Sequence, residues 1–490
     1  MRQYDVEVHI ESGTSRAAHR ERHRERHRER GRRATHLTLT SVPFPLAHTL
    51  GMRYRTGGMS TQASVSGAAP GDWYRLDNAA KAFAPALSRR YTTLFRVAVV
   101  LNKPVRVHDL QRALDRCMKR FPYYQVHLRP GFFWYYFEEN PTTLRVRPDP
   151  QNPCMRHSLR RRGSYLLRVR CYHCRISVEF SHALTDGFGA LQFLNTLLCA
   201  YHEEVHGVIQ DWGSIIHPES ARDPQETEDS FLREYVPHAP APVSASGAWH
   251  LPYRLLPAGI YRVCSGVVPA GPLRAAAKER GGTVNDFLTA VYCMALQSSA
   301  ERLGNPKRPV RVFVPVNLRA FFPSRTMRNF FSVVSVELDL RLGHFEFEEI
   351  FRLVFYRLRL ELNEKNLRTH LKRNVKNERN PVLRVVPRTI KDRLVAFVYK
   401  RVAEGINTAS ISNLGRVSLP SELEGAVDRY EFLPPPSPMT KINCAVIGFG
   451  DEIVISFGRM IENSIVEMYF FRTLRELGIP ARIHTNWGGD

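Results

Sequence analysis

Ile176, Val178 and Phe180 alternate with Arg175, Ser177 and Glu179, a period of two that predicts a half-buried strand over residues 175–182. His182 shares the parity of the apolar set. Its imidazole should therefore leave the strand end on the buried side, while Ser181 points the other way. Gly187 and Gly189 then make a flexible turn. Leu191, Leu194, Leu198 and Tyr201 follow on one face of a helix. His182 thus stands at a strand-to-helix junction, where rigid flanks hold functional groups in place.

Similar patterns organise the rest of the chain. Residues 93–101 read as a buried strand. Leu110, Ala113, Leu114, Cys117 and Phe121 give a helix over 107–120 that Pro122 ends. Residues 132–138 and 165–171 read as strands. Residues 207–255 are weakly periodic and read as a linker or crossover. In the second half, Thr283 to Asp286 resembles a capping box that opens a helix with Phe287, Leu288, Val291 and Ala295 inward. Val310–Val316 and Val333–Leu340 read as strands, 345–376 as a charged helical stretch, and 442–457 as a hairpin around Gly450-Asp451. The division is an N-terminal lobe over 71–206, the linker 207–255 and a C-terminal lobe over 256–490.

Residues 1–70 follow no such pattern. His19 to Arg30 is a threefold repeat of His-Arg-Glu-Arg, a low-complexity tract without a core-forming period. It reads as a disordered Arg-rich extension, or as a start placed too early with Met52 or Met59 as the true one. Glu21, Glu25 and Glu29 argue against an organelle presequence, which is poor in acid.

Composition narrows the classes. A chain of 490 residues exceeds one compact core, and 43% hydrophobic residues suit a globular protein. The formal charge is +23. The first 58 residues hold 12 Arg against 6 acidic residues, which leaves +17 for the remainder. Such a balance attracts polyanions, whether nucleic acid, acidic lipid or a phosphate-rich co-substrate. No zinc-finger, RNA-binding or basic-zipper signature singles out nucleic acid, so no specific nucleic-acid partner is expected. If the Arg-rich N-terminus binds nucleic acid or acidic membrane, binding should be steeply salt-dependent and vanish on deleting residues 1–58. Of 8 Cys, only Cys171 and Cys174 form a Cys-x-x-Cys pair. Without a second pair they read as two thiols at a turn between strands, not as a metal site. Scattered Cys suits a reducing cytosol, and the expected location is cytoplasmic. No stretch reaches the length of a membrane-spanning helix.

His182 and Asp186, four residues apart, could pair or ligate a metal if they shared a helical face. No second ligand cluster accompanies them, and no Gly-x-Ser-x-Gly elbow supports a serine hydrolase. A general base and a satisfied buried polar group both remain compatible with the spacing.

The string Ser-His-Ala-Leu-Thr-Asp-Gly-Phe-Gly-Ala-Leu-Gln-Phe-Leu from Ser181 resembles the His-x-x-x-Asp-Gly motif of the chloramphenicol acetyltransferase and condensation-domain superfamily. Arg120-Phe121-Pro122, Thr283-Val284-Asn285-Asp286, Pro315-Val316-Asn317-Leu318-Arg319, Asn329-Phe330-Phe331 and Ser412-Asn413-Leu414-Gly415 follow in the superfamily's order. The last is similar to alcohol acetyltransferase-like members. The resemblance covers roughly residues 72–490.

It implies an α/β (α+β) fold of two chloramphenicol-acetyltransferase-like lobes, each a mixed sheet flanked by helices, with a channel between them. It implies acyl transfer from a coenzyme A thioester to a hydroxyl or amine, without a permanently bound cofactor and without an acyl-enzyme. His182 would be the base, and Asp186 would pair with Arg319 for structure. Gly187 would permit the backbone conformation and close approach at the motif. Asn317, Asn329, Ser332 and Asn413 are candidates for substrate or oxyanion contacts. A carrier-protein thioester is the other donor of the family, and a non-catalytic binding protein is the other role. Two lobes in one chain favour a monomer. One departure is Ser181, where many relatives carry a first His.

Overall fold

The computed structural model describes residues 73–87, 91–155, 163–237, 247–304, 307–379, 385–398 and 405–487. The expectations for residues 1–70, including both alternative starts, lie outside these residues.

Two mixed sheets carry the architecture. In the first lobe, five strands run in the order Val427–Leu433, Leu94–Leu101, Arg175–Ser181, Leu167–Tyr172 and Arg147–Pro148. Only the last pair is parallel. In the second lobe, seven strands run in the order Phe331–Leu338, Val310–Asn317, Ala409–Val417, Ile442–Phe449, Glu452–Arg459, Arg262–Pro269 and Arg482–Thr485. Ala409–Val417 is parallel to both of its neighbours. Trp73–Arg75, Tyr135–Glu139 and Val126–Pro130 form a separate antiparallel sheet. The two-lobed α/β fold is the one expected.

Helices form where the apolar period is 3.6. Val107–Arg120 buries Leu110, Ala113, Leu114 and Cys117 against helix Gly187–His206. Thr283 and Asp286 exchange both capping-box bonds at the start of Val284–Arg302. That helix is buried almost throughout, between helices Phe347–Glu361 and Ile465–Glu476.

Four expectations change. The strand expected over 132–138 begins only at Tyr135, because Gly131 and Trp134 close a turn through a 2.8 Å backbone hydrogen bond. The stretch 345–376 is two helices, Phe347–Glu361 and Glu364–Arg379. Asn363 separates them, its side chain accepting from Asn366 N–H at 3.0 Å as an N-cap does. The chain also crosses the expected lobe boundary. Val427–Leu433 leaves the second lobe and pairs with Leu94–Leu101. It thereby covers a sheet edge that would otherwise expose unpaired backbone groups.

The fourth change concerns Arg175–Ser181, which is buried on both faces rather than half-buried. Glu179 is fully enclosed and meets Arg96 at 2.7 Å, Arg168 at 3.0 Å and the Cys154 N–H at 2.8 Å. Arg96 also holds Asp149 at 2.5 Å. A period-two pattern marks two chemically different faces, and here the polar face is internally neutralised. Burial by itself would raise the Glu179 carboxyl, but Arg96, Arg168 and the Cys154 N–H hold it down at about 2. Its folded value lies below the ordinary 4.5. The stabilisation is therefore complete above about pH 4.5 and drains away as pH falls towards 2. A Glu179→Gln variant should show a flatter acid limb in a plot of melting temperature against pH.

Candidate active site

His182 follows the last residue of strand Arg175–Ser181. Its backbone N–H donates to Thr93 C=O at 2.9 Å. Thr93 has φ +56°, a left-handed conformation that costs a β-branched residue about 1–3 kcal/mol. The imidazole packs among three aromatic rings. It stacks on Phe83 with centroids 5.0 Å apart, and lies 4.5 Å from Phe95 and 6.0 Å from Phe331. Phe83 and Phe95 come from the first lobe and Phe331 from the second.

The residue keeps part of its surface accessible. Its Nδ1 is buried without a hydrogen bond, which leaves Nε2 as the nitrogen able to meet a reactant. Burial lowers the imidazole to about 4, against the opposing pull of Asp186, the Asn329 side chain and the Thr185 backbone. The ring is therefore neutral at pH 7.

Asp186 caps the helix that follows, accepting from Gly189 N–H at 3.2 Å through Oδ1. Its Oδ2 accepts from Arg319 Nη1 at 2.8 Å and from Phe330 N–H at 2.8 Å. Both partners of this ion pair are more than nine-tenths buried. Arg319 also donates to the carbonyls of Thr326 and Arg328, at 2.8 and 2.6 Å, and lies over the Phe188 ring at 4.5 Å. One guanidinium thus fastens the 326–330 loop of the second lobe to the motif of the first. Tyr124 OH and Thr185 Oγ1 add two bonds to Met327 C=O, at 2.8 and 2.6 Å.

The crossover tightens the same seam. Arg120 pairs with buried Glu226 at 2.6 Å, and the Glu226 carbonyl accepts from Met327 N–H at 2.8 Å. The part of the crossover around Glu226 is therefore a strap as well as a connection.

The four oxyanion candidates lie in different surroundings. Asn329 is buried next to His182, but both of its amide protons are engaged. Nδ2 donates to His182 C=O at 2.9 Å and to Asp77 Oδ2 at 3.1 Å. Asn329 is a positioning residue for the His182 backbone. Asn317 caps a short turn, accepting from Arg319 N–H at 3.1 Å. Ser332 follows Phe331 in its strand, and alternation sends it to the face opposite the ring that meets His182. Asn413 accepts from Gly415 N–H at 2.8 Å at a strand irregularity. Of the four, Asn329 is the one with a hydrogen bond to His182, and that bond is to its backbone carbonyl.

The motif glycines are the first turn of the helix and not a flexible hinge. Gly187 has no positive φ. A Cβ there would lie 2.5 Å from Leu414 Cδ2, a side chain that can move. Gly189 is tighter, since a Cβ would lie 2.6 Å from Met327 O and 2.2 Å from Thr185 Oγ1. Gly189→Ala should cost about 1–3 kcal/mol of stability, and Gly187→Ala less, in paired thermal denaturation. Ser181 is fully buried and bonds Thr93 Oγ1 at 2.8 Å. A second imidazole would not fit that space without displacing the strained Thr93.

Sequence reasoning missed Phe83, Phe95, Thr93 and Asp77. Asp77 alone left a signal. It precedes an alanine-rich run and caps helix Asn78–Ala86, accepting from Ala80 N–H at 2.8 Å. Cys171 and Cys174 are free thiols, Cys171 near the end of strand Leu167–Tyr172 and Cys174 in the turn that leads to Arg175–Ser181. Among the described residues, no group of three or more His, Cys, Asp and Glu is placed to hold a metal. Nor is any helix there long and apolar enough to cross a membrane.

Solved structures share this fold. Trichothecene 15-O-acetyltransferase from Fusarium sporotrichioides superposes with a TM-score of 0.55 at 12% identity, covering 84% of this chain and 96% of that one. The first condensation domain of the CDA synthetase gives 0.53 at 14% identity, covering 83% and 95%. Polyketide synthase associated protein 5 from Mycobacterium tuberculosis gives 0.52 at 14% identity, covering 83% and 98%. At these identities the likeness establishes the fold. No family model matches the sequence, and no curated protein does.

Proposed function

We propose, from this acyltransferase and condensation-domain fold, that the chain transfers an acyl group from a thioester to a hydroxyl or amine with His182 as general base. The observation that carries the reading is a neutral, partly accessible imidazole at the seam of the lobes, fixed from both sides. Phe83, Phe95 and Phe331 hold the ring. Asn329 and Thr93 hold its backbone, and the Asp186–Arg319 pair holds the loop.

In the proposed reaction, Nε2 takes the acceptor proton as the acceptor oxygen or nitrogen attacks the thioester carbonyl carbon. The tetrahedral intermediate collapses with cleavage of the C–S bond. The departing thiolate recovers the proton from the imidazolium. Ester or amide and free thiol result, and His182 returns to its neutral state. We assign the donor as acyl-coenzyme A and the acceptor as a small alcohol in the manner of alcohol acetyltransferase-like enzymes. The basic balance of the chain favours approach of the phosphates of coenzyme A. Asp186 faces Arg319 and not the imidazole, so its role is to position.

The test is thiol release from a series of acyl-coenzyme A donors with alcohol and amine acceptors, with the acylated product identified by mass. Thiol release that depends on acceptor supports the reading. Tight donor binding with no product from any acceptor would favour a binding role.

The pH profile gives an independent check. The base works unprotonated, so kcat/KM should hold down to about pH 5 and decline only near the imidazole value of about 4. The stability sign is the same. The folded value lies below the ordinary 6.5, so the unfolded chain binds the extra proton between 6.5 and 4, and stability falls as pH drops through that window. An acid limb centred near 6.5 would show a solvated imidazole instead.

A further inference from the structure

The segment beyond helix Glu364–Arg379 ends in helix Arg388–Val398, which presents Ile390, Leu394 and Phe397 at i, i+4 and i+7. All three are exposed, Ile390 by 58% and Leu394 by 49%. Val385, just before the helix, is 68% exposed. The turn Gly131–Trp134 adds Phe132, which is 74% exposed, and Phe133. These elements form one unit. Arg388 N–H donates to Phe132 C=O at 2.9 Å, and Lys391 Nζ donates to Phe133 C=O at 3.1 Å. Lys391 also lies over the Trp134 ring at 3.8 Å, and Asp392 accepts from Tyr135 OH at 2.8 Å.

We propose that this helix face and the Gly131–Trp134 turn dock on an anionic lipid surface. Two features select that occupant. Among the described side chains, helices Glu364–Arg379 and Arg388–Val398 carry Lys365, Arg368, Lys372, Arg388, Lys391 and Arg393 against Glu364 and Asp392, so the apolar stripe belongs to a basic part of the chain. A basic helix with an apolar stripe has the make-up of an interfacial helix, which buries its stripe at the headgroup boundary and gains from anionic headgroups. The same charge opposes a second copy of this basic chain at the face.

The position is also informative. Helix Arg388–Val398 packs on helix Asn78–Ala86, whose Phe83 stacks on His182. A lipid surface at this face would lie on the same flank of the protein as that helix. The proposal goes beyond the acyl-transfer reading and stands without it.

The test uses the full chain and vesicles of phosphatidylcholine, with or without about one-third phosphatidylglycerol. The chain should sediment with the anionic vesicles, and less so as salt rises from about 50 to 500 mM. Phe132→Ser/Ile390→Ser/Leu394→Ser should reduce the bound fraction at least about tenfold with an unchanged melting temperature, these positions being exposed. Tyr356→Ser/Leu360→Ser, at other exposed apolar positions, should bind like the parent. To separate this face from the Arg-rich N-terminus, Leu394→Trp should shift its emission to the blue on anionic vesicles and be quenched by brominated lipid, while Leu360→Trp should not. Undiminished binding by the triple variant, or equal responses from both tryptophan reporters, overturns the proposal. So does equal binding to neutral vesicles, or a concentration-dependent dimer that the triple variant abolishes.

Discussion

His182→Gln should reduce acyl transfer by about 10²–10⁴-fold, the range that a positioned general base contributes. Glutamine keeps a polar group of moderate size among Phe83, Phe95 and Phe331 but has no basic nitrogen. The backbone bonds to Thr93 and Asn329 do not involve the ring and should persist. The loss should therefore fall on kcat, with donor affinity and melting temperature near the parent values. Thiol release and thermal denaturation of the same preparation check both halves. Turnover close to that of the parent would remove His182 from the chemistry. Asn329→Ala gives a graded comparison. It frees the His182 carbonyl and Asp77 and removes the upward pull of the Asn329 side chain on the imidazole, so kcat should fall while the acid limb moves lower.

Arg319→Ala should destabilise the protein by about 3–5 kcal/mol, because it leaves the Asp186 carboxylate buried without its cation. Phe330 N–H and Gly189 N–H remain to Asp186, but the Thr326 and Arg328 carbonyls lose their donor as well. For a chain of this size the melting temperature should fall by about 3–6 °C. Activity should fall with it, since the 326–330 loop carries Asn329. Arg319→Lys should rescue little, because one ammonium cannot reach the carboxylate and both carbonyls in the geometry of the planar fork. Arg325→Ala is the control. Its pair with Asp223 is exposed, and such pairs contribute little. Equal stability of Arg319→Ala and Arg325→Ala would show that the seam does not depend on this ion pair.

The sequence by itself determined the local elements and the order of the motifs. Period and capping are short-range properties, so helix 107–120, the strand up to Ser181 and the Thr283–Asp286 box could be read from neighbours along the chain. Parity along the strand puts His182 on the same face as Phe180, and the resemblance implies Arg319 as the partner of Asp186. Only the tertiary structure decided what surrounds them. The burial of Glu179 depends on Arg96, Arg168 and Cys154, residues 11 to 83 positions away. The passage of Val427–Leu433 into the first lobe depends on an open edge more than 300 positions earlier. Asn329 has the composition of an oxyanion donor, yet its two protons are claimed by His182 C=O and Asp77. A side chain's chemistry is written in its residue type, but whether its donors are free is set by what the fold brings within about 3 Å of them, and no local pattern encodes that distance.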